Sequence, residues 1–356
     1  MNLYTANLLV ELLVLLITSF DSLTNRLIRK DIKRKTVLAS LFIALAASAE
    51  FVGVLTEGAS PSLIPLHKAA KGIEYSIAPL TGVLAASAYA NVKDSRIPLG
   101  IALAHALFEC IAMGFDLVFS IDENNVSHHE TFYFIYILAF SLSTFYIFFC
   151  VIRSGKEYQM NIDSVLILTL LLLALGVTIQ FIYSEIKVDY LCVAIANYLL
   201  YSRYNKMVFQ VDALTMLLNR GCYETNIESL RSKAILLFFD VNQFKKVNDT
   251  YGHDVGDLAL KNIALRIKKT YGKYGKCYRI GGDEFCVIMN HHLEEADKLK
   301  ESFFTSMKEM RKKDPRMPSV SLGYATYDSS LPIEQVIKEA DTKMYQNKKA
   351  REEEAE

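Results

Sequence analysis

Tryptophan is absent from the 356 residues, proline occurs 7 times and glycine 16 times. That scarcity excludes a collagenous or Pro/Gly-rich fibrous chain, and a hydrophobic content of 52% excludes a disordered one. Cysteine is sparse too, and none of Cys110, Cys150, Cys192, Cys222, Cys277 and Cys286 stands in a C-x-x-C pair or at ligand spacing from a histidine. A disulfide framework and a zinc site are therefore not expected, and these are read as reduced structural thiols. Charge is scarce only in the front of the chain. Residues 1–202 hold 13 Lys+Arg and 16 Asp+Glu, against 26 and 23 in the remaining 154 residues. The net charge of +0 thus hides an apolar front and a charged rear, and a mean hydropathy of +0.20 argues against a wholly soluble protein.

A membrane helix needs about 20 mostly apolar residues. The front can be cut into seven such runs: Leu3 to Phe20, Val37 to Leu55, Ile73 to Ala90, Ile97 to Phe119, Phe132 to Ile152, Val165 to Tyr183 and Tyr190 to Tyr201. No basic segment precedes the first, so it does not read as a cleaved signal peptide. Ten basic residues fall in the connections on one side (Arg26, Arg29, Lys30, Lys33, Arg34, Lys35, Lys93, Arg96, Arg153, Lys156), against Lys68, Lys71 and Lys187 on the other. The positive-inside rule then places the N-terminus outside and the charged rear in the cytoplasm. Ionisable residues lie within the runs: Glu11, Glu50, Glu74, His105, Glu109 and Asp116. They either satisfy one another inside the bundle or line a ligand or proton site. His128 and His129, in the outward loop Ser120 to Glu130, lack metal-ligand spacing and are read as solvated.

Behind the front comes a coupler of residues 203–211 with no Gly- or Ser-rich stretch, expected to continue as helix. Beyond it strands and helices alternate. Ala234 to Asp240 reads as a buried strand, Val255 to Tyr271 as a helix, and Cys277 to Ile280 with Phe285 to Met289 as the arms of a hairpin around Gly281-Gly282. Leu293 to Lys312 reads as a helix, Ser319 to Tyr327 as a strand and Ile333 to Lys349 as a last helix, before an acidic tail of residues 352–356. The pattern predicts a sheet flanked by helices. Asp240 ends a strand and Asp283 and Glu284 occupy the hairpin tip, so neighbouring strands would bring three carboxylates to one edge, a donor set suited to Mg²⁺.

Asp212-Ala213-Leu214-Thr215, Phe239-Asp240-Val241-Asn242-Gln243-Phe244-Lys245, Asn248-Asp249-Thr250-Tyr251-Gly252-His253, Gly256-Asp257 and Gly281-Gly282-Asp283-Glu284-Phe285 resemble, in order and spacing, the GGDEF domain of diguanylate cyclases. Val320-Ser321-Leu322-Gly323 and Ala340-Asp341-Thr342-Lys343-Met344-Tyr345 resemble its C-terminal pattern. The resemblance covers residues 212–351 and implies an α+β fold of the nucleotide-cyclase and polymerase-palm type, behind an all-α transmembrane bundle of about seven helices. It implies that two such domains in a homodimer, each with one GTP and Mg²⁺ or Mn²⁺, form cyclic di-GMP and release pyrophosphate. On that resemblance Asp240, the Val241 carbonyl and Asp283 hold the metal with Glu284 beside it, and Asp283 is the base toward the ribose 3′-hydroxyl. Lys245 stabilises the transferring phosphate, Lys348 contacts phosphate, and Gly281 and Gly282 let the backbone approach it. Asn248 and Asp257 read guanine, with His253 on the same loop, which favours GTP over ATP.

The departures are specific. Where the family carries its Arg-x-x-Asp product-inhibition motif this chain has Gly272-Lys273-Tyr274-Gly275, Asn242 replaces a second Asp taken as a supporting carboxylate, and Arg351 falls one residue early. The expected protein is a multi-pass enzyme of the bacterial inner membrane, in contact with lipid and an unknown sensory ligand, with nucleic acid not among its partners. The alternative is a catalytically silent GTP-binding receptor that signals by contact. A transporter with a regulatory domain would need broken helices, for which Pro79 and Pro98 are a thin basis.

Overall fold

The computed structural model describes residues 3–89, 96–157, 164–183, 186–328 and 330–353. Lys93 and residues 354–356 of the acidic tail lie outside the described residues, as do the side chains of Lys156 and Arg351. The chain divides into two compact units, Met1–Phe209 and Gln210–Glu356.

The first unit contains, among the described residues, the helices α1 (Leu3–Thr24), α2 (Lys30–Thr56), α3 (Ile64–Tyr89), α4 (Arg96–Ala112), α5 (Tyr133–Glu157), α6 (Ser164–Ile182) and α7 (Asp189–Gln210). Four of them, Tyr4–Thr24, Lys30–Thr56, Arg96–Phe115 and Tyr133–Gly155, are long and apolar enough to cross a membrane, and Ser164–Gln180 is a shorter apolar helix. The helices α3, with His67, Lys71 and Glu74, and α7, with Asp189, Asn197 and Arg203, carry more polar side chains. Small residues form the seams. Ala39, Ala46 and Ala47 of α2 and Ala78, Ala85, Ala86 and Ala88 of α3 are buried, which lets backbones approach closely. Large apolar side chains such as Leu16 (66% exposed) and Phe145 (69%) stand on the outer surface instead. Pro79 lies inside α3, which continues through it.

The connection expected as a solvated loop after α4 is a hairpin, β1 (Phe119–Ile121) with β2 (Ser127–His129). Its turn closes on itself: Asp122 Oδ1 accepts from the backbone N–H groups of Asn124 and Val126, and Asn125 takes a positive φ of 62°. The buried Asn125 amide donates to the Thr56 carbonyl (2.6 Å) and its oxygen meets His67 Nδ1 (3.0 Å), which fastens the hairpin to the ends of α2 and α3.

The second unit is built on a four-stranded antiparallel sheet. Its elements are α8 (Arg220–Glu228), β3 (Ala234–Val241), α9 (Phe244–Tyr251), α10 (His253–Tyr271), β4 (Gly275–Arg279), β5 (Glu284–Met289), α11 (Ala296–Lys313), β6 (Val320–Tyr327) and α12 (Ile333–Glu353). The strand order is β4-β5-β3-β6. All eight residues of β3 are buried because both sheet faces are covered. Ile235, Leu237, Phe239 and Val241 face Ile263 and Ile267 of α10 and Phe303 of α11, while Leu236 and Phe238 face α8 and Val336, Ala340 and Met344 of α12. The strands and long helices agree with the sequence expectation. The short helices α8 and α9 are additional to that expectation; each spans only about two turns, although α9 carries Phe244, Val247 and Tyr251 at helical spacing. All six cysteines are free.

Gly323 marks the closest approach of α12 to the sheet: a Cβ there would collide with the Ala340 carbonyl and the backbone of Met344. Gly323→Ala is expected to cost about 1–3 kcal/mol of overpacking, read as a lower thermal midpoint of the full chain in detergent. Gly282→Ala, whose Cβ would meet nothing within 4 Å, should leave the midpoint unchanged.

Candidate active site

Asp240 is the last but one residue of β3, in register with Glu284 at the start of β5 and with Ser321 of β6. Asp283 precedes Glu284 in the turn, and its carbonyl accepts from the Val241 N–H at 3.2 Å. Asp240, Val241, Asp283 and Glu284 therefore meet at one end of the sheet. The β4–β5 turn closes tightly, with the N–H groups of Ile280 and Gly281 both donating to the Glu284 carbonyl (3.0 and 3.3 Å). A Cβ at Gly281 would collide with the Glu284 carboxylate, whereas Gly282 opens onto free space where a phosphate can approach. Burial, and then the charges of Asp283, Asp240 and Asp341, push the Glu284 carboxyl above its ordinary range. Asp341 of α12 thus belongs to the same electrostatic cluster. Glu284 and Asp341 also line a cleft of about 380 Å³ between the hairpin, β3 and α12, floored by Phe238, Ile337 and Met344.

Lys348 reaches in from α12 and its ammonium donates to Asp240 Oδ1 at 2.7 Å. It is held in place by its neighbour Asn347, whose amide donates to the Leu322 carbonyl (2.7 Å). Asn242 serves structure rather than ligand binding. Its amide donates to Ser319 Oγ (2.9 Å) and accepts from Ser321 Oγ (2.8 Å), so it locks the ends of β3 and β6 together with neutral bonds where a second carboxylate would add repulsion.

The remaining expected residues lie on α9 and α10, which turn about Gly252, a residue at φ +85°. Lys245, His253 and Asp257 are exposed there, and Asn248 is half-buried. The Asn248 side-chain oxygen has no hydrogen-bond partner and lies against Gly256, where a Cβ would collide with it. An acceptor left open beside Asp257 is available to a ligand's N–H groups.

Arg279 was not singled out in the sequence. Its guanidinium donates to Asp212 Oδ1 (3.0 Å) and to the Gly282 carbonyl (2.7 Å), tying the entry of the unit to the hairpin tip. Asp212 Oδ1 also accepts from Thr215 N–H (2.9 Å) and Thr215 Oγ1 (2.6 Å). Burial works against this carboxylate, but the bonds from Thr215 and Arg279 outweigh it and hold Asp212 below its ordinary range. An Arg standing immediately before the Ile-Gly-Gly turn, with an Asp-x-x-Thr upstream, was the signal available. At 272–275 there is no guanidinium or carboxylate, and the Tyr274 carbonyl closes the far end of the β4–β5 pair by accepting from Asn290 and His291.

The donor set at the sheet edge fits a hard divalent cation: three carboxylates and a backbone carbonyl, all oxygen. Among the described residues no three His, Cys, Asp or Glu side chains close into a finished metal shell. A cation held by these residues would need further oxygen ligands from phosphate or water.

In the first unit, the ionisable residues of the apolar runs separate into groups. His105 Nε2 lies 3.1 Å from Glu109 Oε1, both buried, and Asp116 pairs with Lys68 at 2.7 Å. Glu11 within α1, Glu50 in the last two turns of α2 and Glu74 within α3 are buried as well. His128 pairs with Asp122 (3.2 Å) and His129 stacks on Tyr133 (3.6 Å).

Residues 209–354 match the family model described as diguanylate cyclase, GGDEF domain, so the C-terminal unit contains a GGDEF domain. Diguanylate cyclase DgcS of Shewanella oneidensis is 33% identical over 155 residues, covering 41% of this chain and 52% of that protein. Diguanylate cyclase DgcN of Escherichia coli is 32% identical over 151 residues, covering 39% and 37%. An uncharacterized membrane protein of Staphylococcus aureus is 33% identical over 147 residues, covering 36% and 40%. The chain spans about half the length of the first of these relatives and less of the others.

Arg279→Ala removes two charge-assisted bonds and is expected to cost about 1.5–3 kcal/mol; Arg279→Lys should recover little, because one ammonium cannot reproduce the fork. Amide exchange at residues 280–284 should rise in both variants. The share of stability owed to the depressed Asp212 carboxyl is fully present above its unfolded value of about 3.9 and is lost as pH falls through the lower folded value. An acid titration of the unfolding midpoint should therefore fall less steeply in Arg279→Ala.

Proposed function

We propose that this chain is a membrane-anchored diguanylate cyclase that condenses two GTP into cyclic di-GMP and pyrophosphate. The observation that carries the reading is the register of Asp240 against Glu284, with Asp283 in the turn between them and Lys348 on Asp240. Asp240, the Val241 carbonyl, Asp283 and Glu284 would hold Mg²⁺ or Mn²⁺, which when bound neutralises phosphate charge and acidifies the attacking hydroxyl. Asp283 accepts the 3′-hydroxyl proton, and Lys245 and Lys348 offset the charge on the transferring phosphate. The open backbone at Gly282 admits the phosphates. Asn248, with its free side-chain acceptor, and Asp257 recognise the guanine edge, and His253 borders the same pocket.

Each active site holds one nucleotide, so two copies of the domain must face each other, and the distance between them controls the rate. In this reading the front crosses the bacterial inner membrane seven times with its N-terminus outside, residues 203–211 couple as continuous helix, and residues 212–351 work in the cytoplasm. The four apolar helices and the similarity to a membrane protein of Staphylococcus aureus support the membrane placement.

Full-length protein in detergent is expected to convert GTP, and not ATP, to cyclic di-GMP with Mg²⁺. Asp283→Ala should lower turnover by roughly 10²–10⁴-fold while GTP still binds; GTP binding without product in the unmutated protein at high concentration would overturn the reading. Added cyclic di-GMP should compete with GTP and show no second, non-competitive component, since residues 272–275 carry no anion- or guanine-binding side chain pair.

A further inference from the structure

At the end of the helical unit where α7 begins, charged side chains converge from several helices. Glu11 of α1, Glu50 of α2 and Glu74 of α3 are each less than a tenth exposed. Lys71 pairs with Glu74 at 3.3 Å, and its ammonium lies against Gly53, one helical turn beyond Glu50. Glu50 feels the charges of Asp189, Glu74, Lys187 and Lys71, and Glu11 that of Asp189. The Lys187 carbonyl accepts from the Asn7 amide (3.0 Å), which ties the segment before α7 to α1.

Four carboxyl groups and two lysines therefore belong to this region; Lys71 is paired with Glu74, and the Asp189 oxygens are met by the Gln180 amide at 3.0 Å. Glu50 Oε1 is buried with no hydrogen-bond partner. Ionising a carboxyl in so dry a setting costs several kcal/mol unless a positively charged partner sits beside it.

The same end is lined with aromatic rings. Tyr75 stacks on Tyr136 (4.4 Å), Tyr133 lies 5.8 Å from Tyr75, and Tyr136 packs against Tyr190, the second residue of α7. Lys71 already lies 5.7 Å over the Tyr75 ring, the geometry in which a ring face attracts a cation. Ring faces beside carboxyl groups suit an organic ammonium ion.

We propose that this end of the helical unit binds a small organic cation, held between the Glu50 and Asp189 carboxylates and the faces of Tyr75, Tyr136 and Tyr190. Because Asp189 opens α7 and that helix runs to Gln210, occupancy pulls on the helix that leads to the cyclase. This second step rests on the proposed function; the binding itself does not.

The test uses full-length protein in detergent, titrated with methylammonium, tetramethylammonium, choline and 1,4-diaminobutane chlorides against sodium chloride of matched ionic strength. At least one should raise the thermal midpoint saturably, and Glu50→Gln should raise its half-saturating concentration at least tenfold, while Asp283→Ala leaves it unchanged. If Glu50→Gln does not purify, Asp189→Asn takes its place with the same expectation. No saturable shift with any of the four, or equal half-saturation in unmutated protein and variant, overturns the site. Saturable binding with no change in GTP turnover overturns the coupling through α7 alone, and an inactive cyclase leaves the binding result readable.

Discussion

The burial of β3 along its whole length is the constraint on which the candidate active site depends. With both faces covered, a slip of one residue against β5 or β6 would exchange Phe239 and Phe238 between two differently shaped cores, one against α10 and α11 and one against α8 and α12. Register is therefore set by apolar packing far from any charge, and it is register that places Asp240 opposite Glu284. The core positions the carboxylates; they do not position themselves, since their mutual repulsion works against the arrangement.

What tolerates that repulsion is the placement of cations around it. Lys348 neutralises Asp240 from α12, and the approach of α12 depends in turn on the missing side chain at Gly323. Arg279 neutralises Asp212 and takes up the Gly282 carbonyl, so the hairpin tip is braced from the side opposite the carboxylates. Asn242 completes the set by substituting neutral hydrogen bonds to Ser319 and Ser321 for a further negative charge. A divalent ion entering this edge would find Lys348 already bonded to one of its ligands. On the proposed function, Lys348 would move from Asp240 to phosphate as metal and nucleotide bind, exchanging one anionic partner for another.

The legible parts of this structure are those written by local pattern. The AILLFFD run is a strand because it is continuous, apolar and bounded by polar residues, and the Gly-Gly turn places Asp283 and Glu284 whatever the rest of the fold does. Long helices such as α10 and α11 declare themselves by Ile263 and Ile267, or Phe303 and Met307, at helical spacing. The short helices α8 and α9 are harder to read: α9 does carry Phe244, Val247 and Tyr251 at helical spacing, but only over about two turns. Nor is the hairpin at 119–129 visible, since its strands are three residues long and its stability comes from Asn125 bonding to Thr56 and His67, distant in sequence. Arg279, Asp341 and the structural use of Asn242 share that reason: each acquires its role from a partner tens of residues away.

The helical unit reverses the usual distribution of polarity, and that reversal gives its charges their meaning. Leu16 and Phe145 face outward while Glu50, Glu74, His105 and Glu109 are enclosed. In a water-soluble domain the outward leucines would be the anomaly; in an apolar surrounding they are stable where they are, and the enclosed charges become the costly groups. Lys68 answers Asp116 and Lys71 answers Glu74, so part of that cost is met inside the chain. Part is not met by hydrogen bonds: Glu50 Oε1 has no such partner, and neither does the Glu109 carboxylate of α4, which has only the His105 ring at 3.1 Å. On the proposal of a cation held beside Glu50 and Asp189, its binding would act at the first residue of α7, the helix that runs to Gln210.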